Sequence, residues 1–264
     1  HLDDHQVFAR IFVSSDGGPI RTLITGREPH ATGRFVSVKA GYRALPWESM
    51  RGELPLLQLA EVASPVQSVM VQPHRLEMFV EGVKKPLIYF PDVSLSVSRR
   101  FADALDDGAT FARAVADWGP SEAAEEHVTL IVEAKTNDDR RIHDDVYQSK
   151  LRLAHEVYER LGWRFVQVVD VTGPDWRPIA KAVHEIGLDR DVVVSPHETQ
   201  MVQESLMTGP ATLADVSATI GGGAIALQKL AALHVRRLIS IDLRGRLALE
   251  SLVRPMTYSG RAPA

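Results

Sequence analysis

Short apolar blocks alternate with longer helical stripes along this chain. Val128-Thr129-Leu130-Ile131-Val132 is a β-branched run that predicts a strand. Pro86-Leu87-Ile88-Tyr89-Phe90 predicts another, with Pro86 at its start, where a missing N–H is tolerated. Trp163 to Val169 predicts a third. Between them, Arg140 to Leu161 has the period of a helix, with Ile142, Val146, Lys150, Leu153 and Val157 at three- and four-residue steps. Gly162 is placed to end that helix. The order helix, strand, strand, strand, helix, strand predicts an α/β core with a mixed sheet.

Two of these strands run into acidic residues. Pro91-Asp92 follows the first, and Glu133-Ala134-Lys135 closes the Val128 run. In a strand, residues i and i+2 share a face, so Glu133 and Lys135 look into one site while Ala134 turns away. Carboxylates supply the oxygen ligands that Mg²⁺ takes. A lysine beside the ion can orient the attacking water or neutralise charge on a phosphate. The alternative is a surface acid and an ordinary salt-bridged pair. Lys150, on the apolar stripe near the helix start, either reaches a phosphate or snorkels to solvent. Gln72 reads as a structural hydrogen-bonding residue, and Asp144 and Asp145 as acids favoured by the helix dipole.

At 264 residues the chain holds a sizeable core and a smaller appended unit. No run of roughly 18 apolar residues predicts a membrane span. No secretory signal is evident, and His1 in place of Met suggests a trimmed end. The absence of cysteine excludes disulfides and thiolate zinc sites and fits a reducing cytoplasm. The ten histidines show no ligand-like pairing. A formal net charge of −4 argues against a chain that coats nucleic acid, and leaves room for a local basic face.

After Gly187 the pattern changes. Thr212-Leu213-Ala214-Asp215 is a capping box opening a short helix, and Gly221-Gly222-Gly223 turns the chain. Ala224 to Arg237 predicts a second helix, with Leu227, Leu230, Ala231 and Leu233 as its apolar face. Two strands, Leu238–Leu243 and Arg246–Val253, are expected around Arg244-Gly245. Together these predict a helix-turn-helix with a β-hairpin wing. Lys229, Arg236, Arg237, Arg244 and Arg246 are its candidate DNA contacts; a fold used only for protein contact is the alternative.

From about Gly33 to Val171 the chain resembles the TnsA-type endonuclease subunit of heteromeric transposases, in the PD-(D/E)xK restriction-endonuclease-like superfamily. Four pieces carry the resemblance, in order: Trp47-Glu48-Ser49-Met50-Arg51-Gly52-Glu53-Leu54, then Val71-Gln72-Pro73, then Pro91-Asp92, then Glu133-Ala134-Lys135. The family's spacing back from Gln72 lands on Glu53 rather than Glu48. Ser49 lies further from Glu53 than the family's serine does from its glutamate. Pro55 is tolerated only in a helix's first turn, so Glu53 belongs to the site if the helix begins near Gly52.

The resemblance implies a restriction-endonuclease-like nuclease domain over residues 1–187 and a winged helix-turn-helix domain over 188–264. Residues 1–45 would be an N-terminal extension. Residues from about 96 to 126 would be an insertion, read as an elaborated surface or a reach toward DNA or a partner. The implied activity is Mg²⁺-dependent cleavage of double-stranded DNA, with Mn²⁺ able to substitute. Asp92 and Glu133 would bind the metal, the Ala134 carbonyl could add a ligand, and Glu53 would complete the shell directly or through water. Lys135 would orient or deprotonate the attacking water. A DDE-type transposase subunit and an AAA+ ATPase would be partners, at the nucleoid in a prokaryotic cytoplasm. Two alternatives stand beside this: a stand-alone defence or repair nuclease, and a non-catalytic DNA-binding or scaffolding subunit.

Overall fold

The computed structural model describes residues 8–21, 31–117 and 126–256. In chain order its elements are β1 (Ala9–Val13), β2 (Gly33–Ser37), β3 (Arg43–Trp47), α1 (Glu53–Val62), β4 (Val66–Val71), β5 (His74–Met78), β6 (Leu87–Tyr89), β7 (Val93–Ser98), α2 (Arg99–Asp106), α3 (Phe111–Ala116), β8 (His127–Lys135), a 3₁₀ turn (Arg140–His143), α4 (Asp145–Arg160), β9 (Arg164–Val169) and α5 (Trp176–Leu188). There follow α6 (Pro196–Ser205), β10 (Ala211–Thr212), α7 (Leu213–Thr219), α8 (Gly223–Val235), β11 (Ile239–Ile241) and β12 (Leu252–Pro255).

The fold is α/β. Its central sheet has the order β4-β7-β8-β9, with β4, β7 and β8 antiparallel and β9 parallel to β8. A parallel pair needs a crossover, and α4 supplies it. The alternation of β8 divides the core between two layers. Leu130 and Val132 join the apolar cluster under α1, α3 and α5. Ile131 points the other way, into a cluster with Leu151, Ala154 and Tyr158 of α4 and Leu76 and Tyr89 of the small sheet β1-β5-β6. Both faces are covered, so every position of β8 from Leu130 to Glu133 is buried.

Several boundaries differ from the sequence pattern. The strand before Asp92 is Leu87–Tyr89, and it pairs with β5 in the small sheet rather than joining the central one. Asp92 instead stands immediately before β7, a strand that takes up Val93–Ser98 and so the start of the expected insertion. Alternating Val93, Leu95 and Val97 are buried there, while serines between them hide the run from a search for apolar blocks. The inserted helices α2 and α3 bury Phe101, Ala102, Phe111 and Ala112 in the main core. Of the expected acidic loop, Glu122 and Glu125 lie outside the described residues, and Glu126 pairs with Arg99 at 2.7 Å.

The long helix also breaks. Asp144 sits in extended backbone and its carboxylate accepts the N–H groups of Val146 and Tyr147, so it caps α4 and separates it from the 3₁₀ turn. The buried stripe of α4 runs through Leu151, Ala154, Val157 and Tyr158, and Val146 is exposed. Gly162 has φ +72°, the left-handed value that follows a helix end.

Residues 196–255 pack as α6, then β10, α7, α8, β11 and β12, with strand order β10-β12-β11. The expected hairpin is shorter than its pattern suggested: Arg244 turns back on Asp242 at 2.7 Å, leaving residues 242–251 as a loop between Ile239–Ile241 and Leu252–Pro255. No single helix among the described residues is long and apolar enough to cross a membrane.

This unit grips the C-terminal end of α1. His234, fully buried on α8, donates from Nε2 to the Val62 carbonyl and accepts the Ile241 N–H at Nδ1. Arg237 donates to the Ser64 carbonyl at 2.8 Å. Lys39 of the loop after β2 donates to the carbonyls of Ala60 and Ala63 at 3.0 and 2.5 Å. Cations and donors belong there, because the last carbonyls of a helix have no partner within it. Burial, ahead of the opposing pull of Glu61, brings the Lys39 ammonium down to about 7. Arg237→Ala is therefore expected to destabilise the fold by about 1–3 kcal/mol, the cost of orphaning a buried acceptor. Thermal melting of the purified variant checks this; an unchanged midpoint would remove Arg237 from the structural contact.

Candidate active site

The face of β8 that carries Ile131 also carries Glu133 and Lys135, two and four residues on. Both are buried, with 2% and 3% of their surface exposed, and Lys135 donates to Glu133 Oε1 at 2.6 Å. Lys135 also lies 3.7 Å from Asp139. The parity of an apolar strand has thus placed an ion pair at its C-terminal end, on the side covered by α4.

Asp92 meets this pair through strand register. Val93 lies opposite Val132 in the antiparallel β7–β8 pairing, so one step outward sets Asp92 opposite Glu133. Directly opposed residues hold their Cβ atoms about 4.5–5.5 Å apart on one face. The Asp92 carboxylate accepts the N–H of Ala134 at 2.9 Å, which fixes it against β8. On the other side, Gln72 donates its N–H to the Asp92 carbonyl at 2.9 Å.

Glu53 arrives from α1. Gly52 is the N-cap and Glu53 the first helical residue, which leaves Pro55 in the first turn, where its missing N–H is harmless. Glu53 Oε2 accepts the Glu48 N–H at 2.7 Å and so aims back across the helix start. Glu48 itself faces Arg21 at 3.9 Å. Glu53, Asp92, Glu133 and the backbone of Ala134 share an open cavity of about 650 Å³ with Gln72, Tyr147 and Lys150.

Negative charge dominates this cavity. Burial, then the charges of Glu133 and Glu53, push the Asp92 carboxyl well above its usual range. Burial, then Glu48 and Glu133, raise Glu53. Asp92 and Glu53 are thus acids held against their charge beside a third carboxylate, Glu133.

Two tyrosines, unforeseen in the sequence, complete the surroundings of Glu133. Tyr89 of β6 donates to Oε2 at 2.5 Å, and Tyr147 of α4 donates to Oε1. Tyr147 alone had a signal: with Leu151, Ala154 and Tyr158 it forms an i, i+4, i+7, i+11 stripe that marks the buried face of α4 better than the one through Val146 and Lys150. Lys150 lies beside that stripe, half-buried, with its ammonium 5.0 Å from the Tyr147 ring centre. Burial, helped by the positive charges of Arg141 and Lys135, lowers it from the usual lysine value. Gln72 has φ +44°, a strained value for a side chain with a Cβ, and its Oε1 is buried without a partner among the described residues.

The residues expected to touch DNA in the last unit are mostly committed elsewhere. Lys229 pairs with Glu198, Arg236 donates to the Val192 carbonyl at 2.7 Å, Arg237 holds Ser64, and Arg244 forks onto Asp242. Arg246 is exposed. The exposed face of α8 carries Ala224, Ile225 and Gln228 rather than cations.

Among the described residues, no three Asp, Glu or His side chains form a group that could hold a metal ion. The donor chemistry nevertheless suits a hard divalent cation. Every candidate is an oxygen, the cluster is negative, and Gln72, whose amide oxygen lacks a partner among the described residues, lines the same cavity. The chain matches no family model, and no curated protein is similar to it.

Proposed function

We propose that this protein is a divalent-metal-dependent DNA endonuclease of the PD-(D/E)xK kind. The observation that carries the reading is Glu133, bonded to the buried Lys135 by strand parity and lining, with Asp92 and Glu53, an open, negatively charged cavity. The order α1, β4, β7, β8, α4, β9 supports a restriction-endonuclease-like core, with the acids at the facing ends of β7 and β8. Asp92 and Glu133 would hold the ion, with the Ala134 carbonyl and Gln72 as further oxygens and Glu53 acting through water. Bound there, Mg²⁺ would supply Lewis acidity toward the phosphate and toward developing charge. Lys135 contributes a fixed positive charge that orients the attacking water, and Lys150 a cation at the cavity wall for a neighbouring phosphate.

The run α6, β10, α7, α8, β11, β12 supports a winged-helix reading for the last unit. Lys229, Arg236 and Arg237 are spent on internal contacts and α8 presents a neutral face, which favours a protein-docking role over an independent DNA reader. That in turn favours the transposon-end reading, in which a DDE-type transposase supplies DNA recognition and the opposite strand cut. A stand-alone nuclease would need its own reader. The test is plasmid nicking with Mg²⁺ or Mn²⁺, with and without a transposase encoded beside this chain. Nicking that appears only with the transposase is expected; efficient nicking by the chain alone would favour the stand-alone nuclease. No nicking in either case would return the chain to a scaffolding role.

A further inference from the structure

Glu133 accepts three hydrogen bonds from side chains. Oε1 takes the Lys135 ammonium and the Tyr147 hydroxyl, while Oε2 takes the Tyr89 hydroxyl alone. An ionised carboxylate offers about four lone-pair directions. Three are therefore occupied, and the fourth belongs to Oε2. The two phenols come from different parts of the fold, β6 of the small sheet and α4 of the crossover. They converge on one buried acid that no pattern in the sequence connects to them.

We propose that Tyr89 and Tyr147 are positioning residues, whose hydroxyls fix Glu133 so that it meets the divalent ion through Oε2 while Oε1 stays committed to Lys135. This rests on the nuclease reading above and concerns how its metal-binding carboxylate is held. Without the hydroxyls, Glu133 could rotate about its side-chain bonds and offer both oxygens to the ion, or turn from it toward Lys135. A phenol is protonated at neutral pH, so each hydroxyl is a donor to the carboxylate. The Tyr147 ring also faces two cations, since the ammonium groups of Lys135 and Lys150 each lie 5.0 Å from its centre. Replacing tyrosine by phenylalanine keeps that ring and removes only the hydrogen bond.

The test is calorimetric Mn²⁺ titration of the whole chain in its wild-type, Tyr89→Phe and Tyr147→Phe forms, with metal-free melting curves alongside. The expected result is Mn²⁺ affinity about 10–100-fold weaker in each variant, as for other partners that orient a ligand, with metal-free melting little changed. Folded variants that bind Mn²⁺ as the wild type does would overturn the proposal. If one variant fails to fold, the other decides. Failure of both would make the hydroxyls supports of the fold, not of the metal, and would overturn it too. A wild-type chain that binds no Mn²⁺ would instead sink the nuclease reading itself.

Discussion

Lys135→Ala is expected to slow strand cleavage by about 10²–10⁴, while DNA affinity stays within a few-fold of wild type. The ammonium is buried and bonded to Glu133, so in the proposed reaction it acts at the site and adds little to the grip on a long duplex. It is not a metal ligand, so Mn²⁺ binding should persist in the variant. Asp92→Ala should abolish cleavage by the other route, through loss of the ion. Single-turnover cleavage of the assembled complex, paired with gel-shift titration, separates the two. Near-wild-type cleavage by Lys135→Ala would remove Glu133-Ala134-Lys135 from the reaction.

Asp92→Asn should stabilise the metal-free protein while destroying its activity. The carboxyls of Asp92 and Glu53 are raised above their ordinary values by burial and by the neighbouring acids. A raised acid contributes stability that is full below its unfolded value, near pH 4, and is lost as pH rises through its folded value. The metal-free fold is therefore weakened by these groups on going from mildly acidic to neutral pH. Asparagine keeps the volume and the acceptor for the Ala134 N–H but carries no charge. A gain of about 0.5–2 kcal/mol is expected, the usual scale when a functional position is traded for stability. The gain should shrink as pH falls. Conversely, Mn²⁺ at a hundredfold excess over its Kd should stabilise the wild type by about 2.7 kcal/mol and leave Asp92→Asn unmoved. Thermal melts across pH, with and without Mn²⁺, read both effects. A variant no more stable than wild type at pH 8 would mean that Asp92 is not held against its charge.

Particular elements show why some of this was legible in the chain and some was not. Glu133 and Lys135 could be assigned to one face because strand alternation has a fixed period. Pro55 left the start of α1 open between a beginning near Gly52 and a less secure Glu53, and the structure starts the helix at Glu53. The end of α4 followed from Gly162. By contrast, β7 was hidden because its serines interrupt the apolar pattern, although Val93, Leu95 and Val97 alternate correctly. Helix periodicity ran through Asp144 because a capping residue looks like any other acid until its side chain is seen to accept the N–H groups behind it.

Charge was the least legible property. Lys229, Arg236 and Arg237 form a basic run in the sequence, yet their partners are Glu198 and the carbonyls of Val192 and Ser64, 31 to 173 residues away. What a cation does depends on its neighbours, and those are set by packing. The same holds for the site. The amino-acid sequence determined the local chemistry: strand parity, helix starts, and which residue types were on offer. Only the tertiary structure decided that β7 pairs with β8 so that Asp92 opposes Glu133, that α1 brings Glu53 to the same cavity, and that two tyrosines from separate elements close on one carboxylate. Register and layer packing come from the burial of many side chains at once, and no spacing along the chain records that collective choice.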